Sequence, residues 1–155
     1  MAPSPSDGPR ERDEVLSSIL KAVRQHRRMT VLQVATLMGM RKRSYERFEA
    51  GEGLPKVERI FAFAQATDSD PYALLASVKL GAPDFALACI DNKLVMLLVA
   101  YARELFRVQG PTMAGLQAQV IVEALTAAFA AMSAELDQER AAASKWLGGP
   151  EGSGR

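Results

Sequence analysis

Cysteine occurs once in the 155 residues, at Cys89, and histidine once, at His26. One thiol excludes an intrachain disulfide and suits a reducing compartment. A histidine with no cysteine or second histidine at ligand spacing gives no metal site, and it reads as a surface residue of a helix. Period-two alternation of apolar and polar residues is absent, which excludes a protein built on half-buried strands. The N-terminal stretch 1–14 lacks the apolar core of a signal peptide. The longest unbroken non-polar run, Leu94 to Ala102, is bounded by Lys93 and Arg103. It is about half of what a bilayer crossing needs, so neither secretion nor a membrane partner is expected. Charge of one sign is missing too: 19 basic and 18 acidic residues leave a net +1, which excludes a polybasic coat protein or an acidic tail. No nucleophile beside a base, no paired carboxylates and no glycine-rich phosphate loop occur. No enzyme and no cofactor are therefore expected.

What is present is helix-forming sequence, rich in Ala, Leu, Met, Arg and Glu. The lead 1–10, with three Pro, two Ser and one Gly, and the tail 148–155, GGPEGSGR, read as disordered. Five short helices are expected within 11–80. The first runs from about Glu11 to Arg27, with Val15, Leu16, Ile19, Leu20 and Val23 on one face. Thr30 opens the second with the capping-box pattern T-V-L-Q, and Gly39 suits the positive φ that ends it. The third spans about Lys42 to Glu49 and ends at Gly51. Pro55 opens the fourth, about Lys56 to Ala66. Asp70-Pro71, an N-cap followed by proline at the first helical position, opens the fifth, to about Leu80.

Residues 81–147 have a different grain. Pro83 opens a long helix to about Gln109, Gly110-Pro111 breaks it, and a second long helix runs from about Thr112 to Leu147. Leu87, Ile90, Leu94, Leu97 and Tyr101 step by three and four, as do Val122, Leu125, Phe129, Met132 and Leu136. That is the spacing of a seam between packed helices. Met113, Leu116 and Val120 are out of phase with it, so a stutter is expected near Val120–Val122. Ala124–Ala134 is Ala-rich and allows close helix approach. These residues read as a homodimerisation module, with Trp146 against the first long helix or a partner subunit. Charge divides along the same line. Residues 1–80 carry 13 basic and 10 acidic side chains, and residues 81–155 carry 6 and 8.

Residues 30–50, TVLQVATLMGMRKRSYERFEA, have the layout of a helix-turn-helix. Two short helices that cross closely need a small residue at the crossing, which Ala35 supplies. The turn needs positive φ, which Gly39 supplies. The second helix must turn apolar residues inward, and Tyr45 and Phe48 do so. Residues of about 20–75 resemble the lambda-repressor/Cro-like helix-turn-helix family, also called the XRE family of transcription regulators. The matching residues are Arg24, Thr30, Ala35, Leu37, Gly39, Ser44, Glu49, Gly51, Pro55, Ala64 and Leu74, including the phrase E-x-G-x-x-x-P from Glu49 to Pro55. The resemblance implies a five-helix DNA-binding domain, most often acting as a dimer on a palindrome. The fold class expected is therefore all-α: that domain, followed by two long helices that dimerise.

With Tyr45 and Phe48 facing inward, a step of about 100° per residue turns Arg43 and Arg47 outward, one turn apart. Both are read as base contacts, because the planar fork of arginine fits the guanine O6/N7 edge. Lys42 and Ser44 hold neighbouring positions where the family contacts bases or phosphates. A solvated charged face is the plain alternative for this cluster. Phosphate contacts are expected at Thr30 and Val31, where the second helix starts, and at Arg41 and Lys56. The Thr30 hydroxyl can equally serve only as a cap. The family often carries Gln at the position of Val31, and a valine side chain cannot clamp a phosphate. Glu52 occupies a loop that is commonly basic in relatives. Lys21, Arg27 and Arg28 are candidate replacements. The resemblance also implies that Arg24 and Glu49 pair beneath the recognition helix, a structural role.

Two functions fit these readings. One is a sequence-specific regulator, a repressor by default, binding double-stranded DNA as a homodimer and associated with the nucleoid. The other is a DNA-addressed adaptor whose C-terminal helices recruit a protein partner such as RNA polymerase. Cys89, one position off the seam, reads as a buried inert thiol.

Overall fold

The computed structural model describes residues 8–52 and 56–147. Among them there is no strand. The helices are α1 (Pro9–His26), α2 (Val31–Leu37), α3 (Lys42–Glu49), α4 (Val57–Ala66), α5 (Pro71–Leu80), α6 (Pro83–Ala88), α7 (Leu94–Gln109) and α8 (Ala118–Leu147), with a 3₁₀ turn at Gly110–Gly115 before α8. Contacts divide the chain into two units, Met1–Glu104 and Leu105–Arg155. Of the lead 1–10 expected to be disordered, residues 1–7 lie outside the described residues, whereas Pro9 and Arg10 already belong to α1, with proline in the first helical turn. The tail 148–155 and the helix-opening Pro55 also lie outside the described residues.

The first unit closes a core around α1. Leu16, Ile19, Leu20 and Val23 repeat at helical spacing and are all buried. Burying one such side chain is worth about 1.5–3 kcal/mol. Val34 and Ala35 of α2, Tyr45 and Phe48 of α3, Ile60 and Phe63 of α4 and Leu74 of α5 complete that core. The Phe48 and Phe63 rings lie 6.3 Å apart, tilted by 60°, a favourable aromatic arrangement. The α2–α3 turn has the expected geometry: Gly39 has φ +63, and the Met40 N–H donates to the Ala35 carbonyl at 2.8 Å. Gly51, past the end of α3, is required twice over. Its φ is +76, and a Cβ there would lie 2.5 Å from the Asp13 carbonyl oxygen of α1.

The core extends past residue 80. The expected continuous helix from Pro83 to Gln109 is two helices. Ile90 is 2% exposed, Ala86 and Cys89 are buried beside it, and Leu87 packs against the core. Leu87 and Ile90 therefore leave the proposed dimer seam. The physical reason is local. Lys93 adopts φ +53, and the Asn92 side chain accepts from the Leu94 N–H at 3.0 Å. Asp91-Asn92 thus supplies a side-chain partner that competes with continued helix, a local alternative that periodicity does not register.

The second unit departs in register. Gly110-Pro111 breaks the helix as expected, with Gly110 at φ +56. The Thr112 hydroxyl donates to the Gln109 carbonyl at 2.6 Å, and the chain stays in a 3₁₀ turn to Gly115. Met113 and Leu116 thus precede α8, and of the out-of-phase set only Val120 lies within it. No residue of α7 or α8 is buried. Trp146 is 84% exposed. By length and composition α8 is also apolar enough to cross a membrane. A search for unbroken non-polar runs passes over it because Glu123, Thr126 and Ser133 interrupt the sequence.

Candidate nucleic-acid interface

α3 is two-faced. Tyr45, Phe48 and Glu49 are buried, whereas Lys42, Arg43, Ser44 and Arg47 are exposed. The outward basic face expected from helical stepping is thus present. Helix length and pitch account for it: two apolar residues three apart fix the rotation of a two-turn helix about its axis.

Beneath that face lies a hydrogen-bonded charge cluster. Arg24 of α1 donates from Nε to Glu49 Oε1 at 2.6 Å and from Nη2 to Glu49 Oε2 at 3.1 Å. This is the bidentate fork geometry that makes arginine–carboxylate pairs directional. The Arg24 Nη1 also donates to the Met29 carbonyl at 3.2 Å. A third partner was hidden in the sequence: the Tyr45 hydroxyl donates to Glu49 Oε1 at 2.8 Å. Apolar stepping counted Tyr45 only as core. Its position four residues before Glu49 was the available signal. The hydrogen bond to Glu49 raises the Arg24 pKa. Burial first, and then Glu49, push the Tyr45 hydroxyl well above the ordinary tyrosine range. Both groups therefore keep their protons, and α3 is fixed to α1 by a satisfied buried carboxylate.

The surface cations are not equivalent. Lys42 pairs with Glu46 at 3.6 Å and Arg47 with Glu52 at 2.8 Å. Arg43 and Arg41 have no ion pair among the described residues. Exposed pairs of this kind contribute about 0–1 kcal/mol, so a stronger anionic partner can displace them. Arg43, Glu46, Arg47, Ala50 and Glu52 line one shallow depression on this face. Of the two guanidiniums that line it, Arg43 meets a ligand without first breaking an ion pair. Glu52, which the sequence suggested only as a missing phosphate contact, is the partner of Arg47.

At the start of α2 the capping box is complete. The Gln33 N–H donates to Thr30 Oγ1 at 3.2 Å, and the Thr30 N–H donates to Gln33 Oε1 at 2.8 Å. The Thr30 hydroxyl serves as a cap through its oxygen, and its proton remains available to a phosphate. Val31 is half-buried and packs against the core, so its side chain is not a phosphate ligand. Lys56, the N-cap of α4, is exposed. Lys21 and Arg28 are exposed as well. Arg27 is not a free phosphate ligand. It donates to the Thr67 carbonyl at 2.9 Å and the Asp68 carbonyl at 2.6 Å and pairs with Asp91 at 2.8 Å.

A short helix, a glycine turn and a second helix with a buried face and a basic one define a helix-turn-helix DNA-binding domain. Residues 20–74, about a third of the chain, match the protein family described as Helix-turn-helix, which supports the lambda-repressor-like (XRE) resemblance of this segment. The family is one of DNA-binding transcription regulators and not of enzymes. No curated protein and no solved structure matches the chain.

Proposed function

We propose that the protein is a sequence-specific transcription regulator, acting as a repressor, that binds a palindromic operator as a homodimer. α3 enters the major groove, Arg43 and Arg47 read base edges, and Lys42 and Ser44 flank them. Thr30, the Val31 backbone, Arg41 and Lys56 hold phosphates. α7 and α8 supply the subunit interface through Leu94, Leu97, Tyr101, Val122, Leu125, Phe129, Met132 and Leu136.

The observation that carries this reading is a pairing of opposites. The DNA-binding unit satisfies its own apolar face, while Leu97, Leu98, Leu125, Phe129 and Met132 are each more than a third exposed. Large apolar side chains exposed at regular helical spacing on each of these helices support an interaction role. A second copy presents the same stepping and closes a two-fold assembly. Two recognition helices then lie roughly 34 Å apart, or further if the dimer spreads the domains.

Mapping the DNA bound by the protein in cells tests this directly. A motif with dyad symmetry is the expected result. A motif without symmetry, bound by one copy, contradicts the homodimer and favours the adaptor reading, in which α7 and α8 recruit a protein partner.

A further inference from the structure

The described residues contain three non-glycine positions with positive φ: Arg28, Asp68 and Lys93. All three fall in segments that meet at one junction: the end of α1, the α4–α5 turn and the α6–α7 turn. Strained backbone of this kind persists where surrounding contacts over-determine it.

The contacts are there. Asp70 is 1% exposed. Its Oδ1 accepts from the Tyr72 and Ala73 N–H groups, each at 3.0 Å, and caps α5. Its Oδ2 accepts from the Met96 N–H at 2.9 Å, in the first turn of α7. One buried carboxylate thus joins the N-termini of two helices, with its charge at the positive end of both dipoles. If α7 swung away, that oxygen would lose its partner in a site that water reaches poorly, which is costly. Two cations close the junction from outside. Arg27 binds the carbonyls of Thr67 and Asp68 and the carboxylate of Asp91. Lys93 Nζ donates to the Ile90 carbonyl at 2.6 Å and to the Asp68 carbonyl, and pairs with Asp68 Oδ1 at 3.2 Å.

From this geometry we infer that Asp70, Arg27 and Lys93 are spacing-determining residues. They fix the direction in which α7 leaves the DNA-binding unit, so the dimer accepts one half-site separation and rejects its neighbours. A flexible connection at residues 90–95 would tolerate many separations. The inference rests on the homodimer reading above.

The test uses full-length protein and a half-site selected by the wild type from a random duplex pool. That half-site is rebuilt as inverted repeats whose spacers differ by single base pairs. Wild type is expected to lose about tenfold or more in affinity when the preferred spacer grows by two base pairs, as the second half-site loses its linkage. Asp70→Asn keeps one oxygen for α5 and sets an amide against the Met96 N–H. Lys93→Asn tolerates the positive φ and cannot reach Asp68. Both variants are expected to keep helicity and mass while the spacing penalty shrinks to less than about threefold. If Asp70→Asn does not fold, Lys93→Asn decides. Variants that keep the full wild-type penalty overturn the inference. A wild type that binds isolated half-sites with no spacing dependence overturns the homodimer reading, and the inference falls with it. The two failures are distinguishable.

Discussion

The two ends of this chain treat apolar residues in opposite ways. Up to Ile90, apolar side chains at helical spacing turn inward and meet one another: Leu16, Ile19 and Leu20 of α1 with Tyr45, Phe63 and Leu74 of later helices. From Met96 onward the spacing is equally regular, and nothing is buried. Periodicity alone therefore does not say what a helix packs against. Chain length between helices does part of that work. The described turns of the first unit are short, and Thr30 and Asp70 cap the helices that follow two of them. α8 continues for 30 residues without a turn, roughly 45 Å.

The largest expected effect breaks the first half of the comparison. Glu49→Ala removes the acceptor shared by Arg24 and Tyr45 and strands a guanidinium beneath α3. Stability should fall by about 3–5 kcal/mol, read by urea unfolding, with DNA binding lost as a consequence. Glu49→Gln, which keeps one acceptor oxygen, should recover part of the loss.

The second half is broken by charge. Leu125→Glu combined with Phe129→Glu places like charges in the proposed seam. DNA affinity should fall about a hundredfold through loss of linked half-sites, while near-ultraviolet circular dichroism from Tyr45 and its neighbours stays unchanged. A binding curve equal to that of wild type would remove the seam from the interface.

A smaller effect separates reading from folding within α3. Arg43→Ala and Arg47→Ala should each cost about 1–3 kcal/mol on the cognate duplex, relax preference at one base pair per half-site, and leave the melting temperature in place. Arg47→Ala should cost less than Arg43→Ala, because Arg47 gives up its Glu52 bond to bind. Equal losses on cognate and scrambled duplexes would return the cluster to a solvated basic face.

The smallest effect is alkaline. Burial pushes the Cys89 thiol up, with the charge of Asp70 adding to it. Burial and Glu49 push the Tyr45 hydroxyl up. Both groups are held protonated in the fold, so their stability is intact below the ordinary range and is lost as pH rises above roughly 9–10. Thermal melts across that range should show the decline. Cys89→Ala should move its onset toward the tyrosine range.

Much of the DNA-binding unit was legible because punctuation and periodicity agreed there. Thr30 with Gln33, Gly39, and Asp70 with Pro71 each marked a boundary that the structure keeps. The basic face of α3 followed from the inward turn of Tyr45 and Phe48. What escaped were interactions between polar side chains distant in sequence. The double cap of Asp70 on α5 and α7 spans 26 residues, and the Arg27 contacts span 40 and more. Neither leaves a periodic trace. The assignment of Leu87 and Ile90 to the seam failed for a local reason. Their stepping matched the later residues, but the Asn92 cap and the Lys93 turn rotate the chain between them.

The central claim is that α7 and α8 are half of an interface whose other half is a second copy. Light scattering coupled to size exclusion, on the full chain at micromolar concentration without DNA or detergent, tests it most directly. The account expects twice the chain mass of 16.8 kDa. A species of 16.8 kDa that stays soluble, or one that needs detergent to stay in solution, would contradict it and leave the apolar face to a different partner or to a bilayer.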